Sequence, residues 1–274
     1  GHRRSAPGDH VSYVEVSLPR LAIALLFIAI ACGVSWRLRL GLGSALVVGA
    51  IRAAVQLIAI GYFLVFLFAH ERAWLVLTVL IAMLLVAALT SARRLEHGPG
   101  LRVLLPYALA AVGGGAAIAL LPLFTLIVVP HPWFEARYLV PLSGMMMSSA
   151  MNVVAQVFER VFAMARSERA VIEQLLALGA SSVQATQSHT RAAVRAALIP
   201  TINGLVTVGL VALPGMMTGQ ILSGTAPGQA VRYQVVIMYQ LVAVAAVSGA
   251  LATRFARRML FTPREQLRRD PELR

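Results

Sequence analysis

From residue 73 to residue 91 the chain reads Ala73-Trp74-Leu75-Val76-Leu77-Thr78-Val79-Leu80-Ile81-Ala82-Met83-Leu84-Leu85-Val86-Ala87-Ala88-Leu89-Thr90-Ser91, with arginines on either side at 72 and 93. About 20 consecutive apolar residues are what a helix needs to cross the hydrocarbon of a bilayer. Six further blocks of that kind follow the same reading: 18–36, 45–69, 103–121, 138–158, 201–222 and 234–253. The expectation is an all-helical, polytopic membrane protein with about seven spans. Its parts would be an extracytoplasmic tail over 1–17, a membrane-spanning body over 18–255, and a cytoplasmic Arg-rich tail over 256–274.

Composition supports this. Of 274 residues, 59% are apolar and 13% charged, against roughly a quarter charged in an ordinary soluble domain. With mean hydropathy at +0.78, one core of this size cannot hide all the apolar residues, so lipid must cover much of the surface. The Ala29-Ile30-Ala31-Cys32-Gly33 run resembles a lipoprotein cleavage box but lacks its usual Leu, so the first block reads as a retained helix. Gly1-His2, in place of an initiating Met, reads as a tag remnant.

All 24 basic residues are Arg, and 11 acidic residues leave a formal charge of +13. The arginines fall between apolar blocks, not in one patch with interleaved aromatics, which excludes a nucleic-acid interface and points to the positive-inside bias. With the N-terminus outside, 17 arginines lie in inner segments and 6 in outer ones. That orientation puts the C-terminus in the cytoplasm. The single cysteine, Cys32, allows neither an intrachain disulfide nor a cysteine-based metal site.

Two irregularities interrupt the blocks: Gly113-Gly114-Gly115, and Leu213-Pro214-Gly215-Met216-Met217-Thr218-Gly219. Broken helices survive at membrane depth where protein or a cavity satisfies the backbone, while glycines also permit close helix packing. Packing is the expected role of the triple Gly; the Pro214 break fits either reading.

The longest polar interruption runs over 159–199. Val171, Ile172, Leu175, Leu176 and Leu178 form a helical stripe there, Gly179 stands where a helix C-cap Gly belongs, and Ser181-Ser182-Val183-Gln184 has capping-box spacing. A helix, a Gly turn and a second helix have the form of a docking element, or of a surface helix lying in headgroups.

Catalytic motifs are missing. A chain without Lys cannot carry the phosphate-binding G-x-x-x-x-G-K-[ST] loop, and neither G-x-S-x-G nor H-E-x-x-H occurs. The chain is expected to be non-catalytic, to bind no cofactor, and to leave ATP and Mg to a partner. Arg52, the one charge beyond the first turn of a span (Arg20 stands at the edge of the first block), either serves function, with Gln56 one turn on, or snorkels to the headgroups. Asn152, Gln156 and Glu159 share a face of the fifth span, where Gly144 and Ser148 form a small-xxx-small pair. Met145, Met216 and Met217 could offer thioethers to a soft metal but fit better as fillers of irregular apolar space. No Asp, Glu or His lies mid-span, so no hard-ligand metal site is expected.

Three stretches resemble one family: Arg195-Ala-Ala-Leu-Ile-Pro200-Thr201, Thr207-Val-Gly209 on to Pro214-Gly215-Met216-Met217-Thr218-Gly219, and Ala230-Val-Arg232-Tyr233-Gln234. They closely resemble the FetB-type permeases, membrane subunits of ABC transporters associated with iron export, with relatives implicated in plant aluminium tolerance. Arg52-x-x-x-Gln56-Leu57, Gly61-Tyr62, Pro141, Gly144-Met145 and Leu178-Gly179-Ala180 add to the resemblance, which spans about 45–255. It implies an inner-membrane half-transporter, two copies of which pair with a separate ATP-binding subunit. It also implies that Glu173, Leu175, Leu176, Leu178, Gly179 and Ala180 couple to that subunit, although the 21 residues from Gly179 to Pro200 exceed the importer loop. The expected substrate path comprises Arg52, Gln56, Met145, Asn152, Gln156, Pro214, Met216, Met217 and Gln220. A stand-alone secondary transporter would instead show paired broken helices and an intramembrane carboxylate; a scaffold or sensor would use the cytoplasmic helices only to hold a partner.

Overall fold

The computed structural model describes residues 18–70, 72–95 and 98–268, so the expected tail over 1–17, with Gly1-His2, lies outside the described residues, as does the chain beyond 268. Two compact units result. The first contains a helical hairpin, α1 (Leu18–Arg37) and α2 (Gly43–Ala69). Its turn is closed by the Ser35 hydroxyl, which accepts from the Leu42 N–H at 3.1 Å, while Arg39 and Gly41 take positive φ of 53° and 69°.

The second unit holds α3 (Ala73–Arg93), α4 (Leu101–Pro122), a π-helical turn Leu123–Ile127, and α5 (Ala136–Ser167). It continues through α6 (Arg169–Ala177), α7 (Ser182–Ala185), α8 (Gln187–Thr207), α9 (Gly215–Leu222) and α10 (Pro227–Leu260). Its centre is a bundle in which α3, α4, α5 and α10 pack on one another and α8 lies against α5 and α10. Five helices are long and apolar enough to cross a membrane: α2, α3, α4 with its π turn, α5 and α10; Ala22–Arg37 is a shorter apolar helix.

The sixth expected span, 201–222, does not form as one crossing. The block 201–222 is not one helix: α8 enters it and stops at Thr207, and α9 restarts at Gly215. Pro214 has no N–H to give a continuing helix, and Gly209 takes a φ of 81°. The boundaries of the polar segment also move, because α5 runs on to Ser167 and α8 passes Pro200 unbroken.

The glycine triplet stays helical for a packing reason. A Cβ at Gly115 would run into Ser248 Oγ on α10, and one at Gly114 would stand 2.9 Å from Leu251 Cδ1. Gly113 faces only Leu84, at an ordinary 3.5 Å. The triplet thus lets α4 and α10 touch, as small residues do in membrane bundles. Gly144 has a comparable role against Met83 on α3, whereas Ser148 is exposed.

Candidate functional site

The segment between α5 and α8 is built from local signals. α6 ends in a Schellman motif: the Gly179 N–H donates to Leu176 O and the Ala180 N–H to Leu175 O, both at 3.0 Å. Gly179 takes a φ of 88°, the left-handed region that glycine adopts without steric cost. Next, Ser181 caps α7 through the expected box, its side chain accepting from the Gln184 N–H while Gln184 Oε1 accepts from the Ser181 N–H.

The apolar stripe divides between two faces. Ile172 is only 1% exposed and Leu176 is half-buried, so these hold α6 to the bundle. Val171, Leu175 and Leu178, at i, i+4 and i+7, face outward, Val183 on α7 is exposed as well, and Leu178 is 85% exposed. The expected stripe is therefore half anchor and half open ridge. Glu173 is exposed and pairs with Arg169 at 2.9 Å.

Sequence reasoning missed what fastens this segment. After Leu260 the chain folds back on itself, with the Thr262 N–H donating to Gln266 O at 2.9 Å and the Arg268 N–H to Leu260 O at 2.8 Å. From this turn the Glu265 carboxylate accepts the Ser182 N–H, and Arg268 O accepts Arg169 Nη1 at 3.2 Å. Hydrogen bonds from the Ser182 hydroxyl and then its N–H hold the Glu265 carboxyl below the ordinary range, with Arg257 adding to the pull against desolvation. The first part of the Arg-rich tail is thus a clasp that ties α6 and α7 to the end of α10. On the α8 side, His189 Nε2 lies 3.0 Å from Glu168 Oε2.

The expected path residues separate. Arg52 and Gln56 are exposed on α2 in the first unit, where Gln56 lines a shallow surface with Ala53, Leu57, Ile60 and Phe63. Asn152 and Gln156 are half-buried on α5, and Asn152 Oδ1 accepts from Arg94 Nη1 at 3.4 Å. Met145 and Met216 pack against the core. Gln220 accepts at its carbonyl from the Thr225 N–H at 2.9 Å.

Met217 alone of these lines a cavity of about 600 Å³ beside the broken span. Leu205 of α8, Val208, Gly209 and Leu213 of the turn, and Val231, Gln234, Val235, Met238 and Tyr239 of α10 complete its wall. The turn closes on itself, the Gly209 N–H donating to Ala212 O at 2.9 Å and the Val211 N–H to Thr207 O at 3.0 Å. Irregular backbone in a membrane protein is tolerated where it lines a cavity, and the turn ahead of Pro214 lines this one. Gln234 closes the Ala230–Gln234 stretch that carries the resemblance and lies outside the expected path; a Gln at the head of an apolar span is the sequence signal for it. Among the described residues no three His, Cys, Asp or Glu side chains group so as to hold a metal ion.

One sequence family covers this whole arrangement: the profile of UPF0014, described as an uncharacterised protein family, matches residues 18–261. The chain belongs to the UPF0014 family. A UPF0014 membrane protein of Synechocystis is 38% identical over 216 residues, 79% of this chain and 83% of its own length. Escherichia coli contributes a relative named "Probable iron export permease protein FetB", 32% identical across 90% of this chain and 93% of that protein. The Arabidopsis thaliana protein ALUMINUM SENSITIVE 3 is 32% identical across 90% of this chain and 88% of its own. No solved structure matches. This UPF0014 member is a multi-pass helical membrane protein, and its relatives are named as permeases or membrane proteins.

Proposed function

We propose that this UPF0014 chain is the membrane-spanning, non-catalytic subunit of an ABC exporter for iron or a related metal or solute. Two copies work with a separate ATP-binding subunit that supplies ATP and Mg chemistry. The chain sits in the inner membrane with its N-terminus outside and its C-terminus in the cytoplasm, so that the α6–α7 segment faces the ATPase.

The observation that carries this reading is the open ridge of Val171, Leu175 and Leu178. Apolar side chains held out on a helix closed at its C-terminus by the Gly179 turn suit insertion into a partner groove, where a few buried anchors supply most of the binding energy. The clasp supplies the mechanical link. α10 spans 34 residues, about 50 Å at helical rise, with the cavity along its first turns and the clasp just past its end. A push on α6 and α7 is therefore delivered to the helix that walls the cavity, and the break at Pro214-Gly215 is where the opposite wall bends.

The test is a pull-down of tagged protein from native membranes, with and without Leu175→Asp. Co-purification of an ATP-binding subunit that the substitution abolishes is the expected result. Transport that persists in cells lacking every cognate ATPase overturns the reading.

A further inference from the structure

The cavity beside the broken span specifies a ligand chemistry. Its wall is aliphatic apart from the Tyr239 ring, the thioethers of Met217 and Met238, and the Gln234 amide; none of its lining residues carries a formal charge. Gln234 is only 7% exposed, and its side chain forms no hydrogen bond among the described residues. Its amide borders the open volume of the cavity, where it is free to hydrogen-bond with whatever fills that space. A pocket of about 600 Å³ lies within the range that holds drug-sized molecules in apolar walls with a few placed polar groups.

We propose that this cavity is a binding site for an uncharged, largely apolar solute that presents one hydrogen-bonding group to the Gln234 amide. The polarizable thioethers of Met217 and Met238 suit an aromatic or soft face on that solute. Resting on the export reading above, the inference narrows the substrate: a metal passes this site inside a neutral chelate, and the wall grips the organic shell and not the ion. A bare or carboxylate-bound ion finds no counter-charge in this wall and would lose its hydration without compensation.

The test uses the full chain in lipid nanodiscs and three probes: the neutral tris complex of iron(III) with 1,2-dimethyl-3-hydroxypyridin-4-one, iron(III) citrate, and aqueous iron(II). Bound iron is measured after gel filtration. The neutral complex is expected to bind saturably and the two charged forms not to compete for it. Gln234→Leu, which keeps the bulk and removes the amide, should weaken binding about five- to tenfold, as losing one hydrogen bond does. Val235→Trp starts from an exposed wall position and fills the cavity without touching the core; it should abolish binding. Equal binding by wild type and both variants, as for a chelate dissolved in lipid, overturns the proposal, and so does preferential binding of either charged form. ATP-binding-subunit association is measured on the same samples. If that association holds while the neutral complex fails to bind, the substrate inference falls and the export reading stands; if the complex binds in the variant-sensitive way without any such association, the reverse holds.

Discussion

Truncating Leu178 to Ala separates docking from folding more sharply than any other single change in the chain. The side chain is 85% exposed, so its removal takes almost nothing from the folded protein. If docking buries it, the lost transfer free energy is about 2 kcal/mol for the aliphatic end. At about 1.4 kcal/mol per tenfold, affinity for the ATP-binding subunit should fall about thirtyfold. Ile172, two positions into the same stripe from the anchor side, is 1% exposed, and Ile172→Ala should instead cost about 2–5 kcal/mol of stability through the space it leaves. The assay is thermophoresis of the nanodisc-held chain against the purified ATP-binding subunit, paired with thermal unfolding of the same samples. Leu178→Ala should weaken binding and leave the melting temperature unchanged. Unchanged affinity for Leu178→Ala would falsify the assignment of the ridge as the docking surface, and a large fall in its melting temperature would show that the residue supports the fold instead.

Gly179→Ala forces a Cβ into a φ of 88°, at a cost of about 1–2 kcal/mol, although open space surrounds the site; faster amide exchange at Gly179 and Ala180 is the readout, with ATP-driven transport reduced in parallel. Gly115→Ala must displace Ser248, buried on α10, and should destabilise the bundle by about 1–3 kcal/mol, seen as a lower unfolding temperature in detergent, with Gly113→Ala as the tolerated comparison. Glu265 has its carboxyl pKa lowered in the folded chain, so its contribution to the clasp is fully present above the ordinary glutamate range and is lost as pH falls through the lowered value. Acidification below that range should therefore lower the protection of the Ser182 N–H relative to its intrinsic exchange rate, and Glu265→Ala should show the low protection already at neutral pH with no further loss in acid.

The sequence determined whatever depends on neighbours within a turn or two. Uncharged runs long enough to cross lipid fixed the helices. Gly179 and the Ser181–Gln184 pair fixed the corner between α6 and α7, because a left-handed cap and a capping box close their hydrogen bonds within a few residues. Pro214, lacking an N–H, fixed the interruption at the same local range. Tertiary structure decided the rest. A helical stripe says that Val171, Ile172, Leu175 and Leu176 lie close to one face, but only the seating of α6 on the core decides that Ile172 is covered and Val171 and Leu175 are not. The triplet glycines look alike in sequence, and Ser248 alone makes Gly115 the indispensable one. The clasp joins Ser182 to Glu265 across 83 residues and Arg169 to Arg268 across 99, separations over which no periodicity carries a signal. Gln234 became a candidate ligand group for the same reason: a glutamine in an apolar helix can face a partner, lipid or a cavity, and the turn from Val208 to Leu213 folding beside α10 is what leaves it facing space.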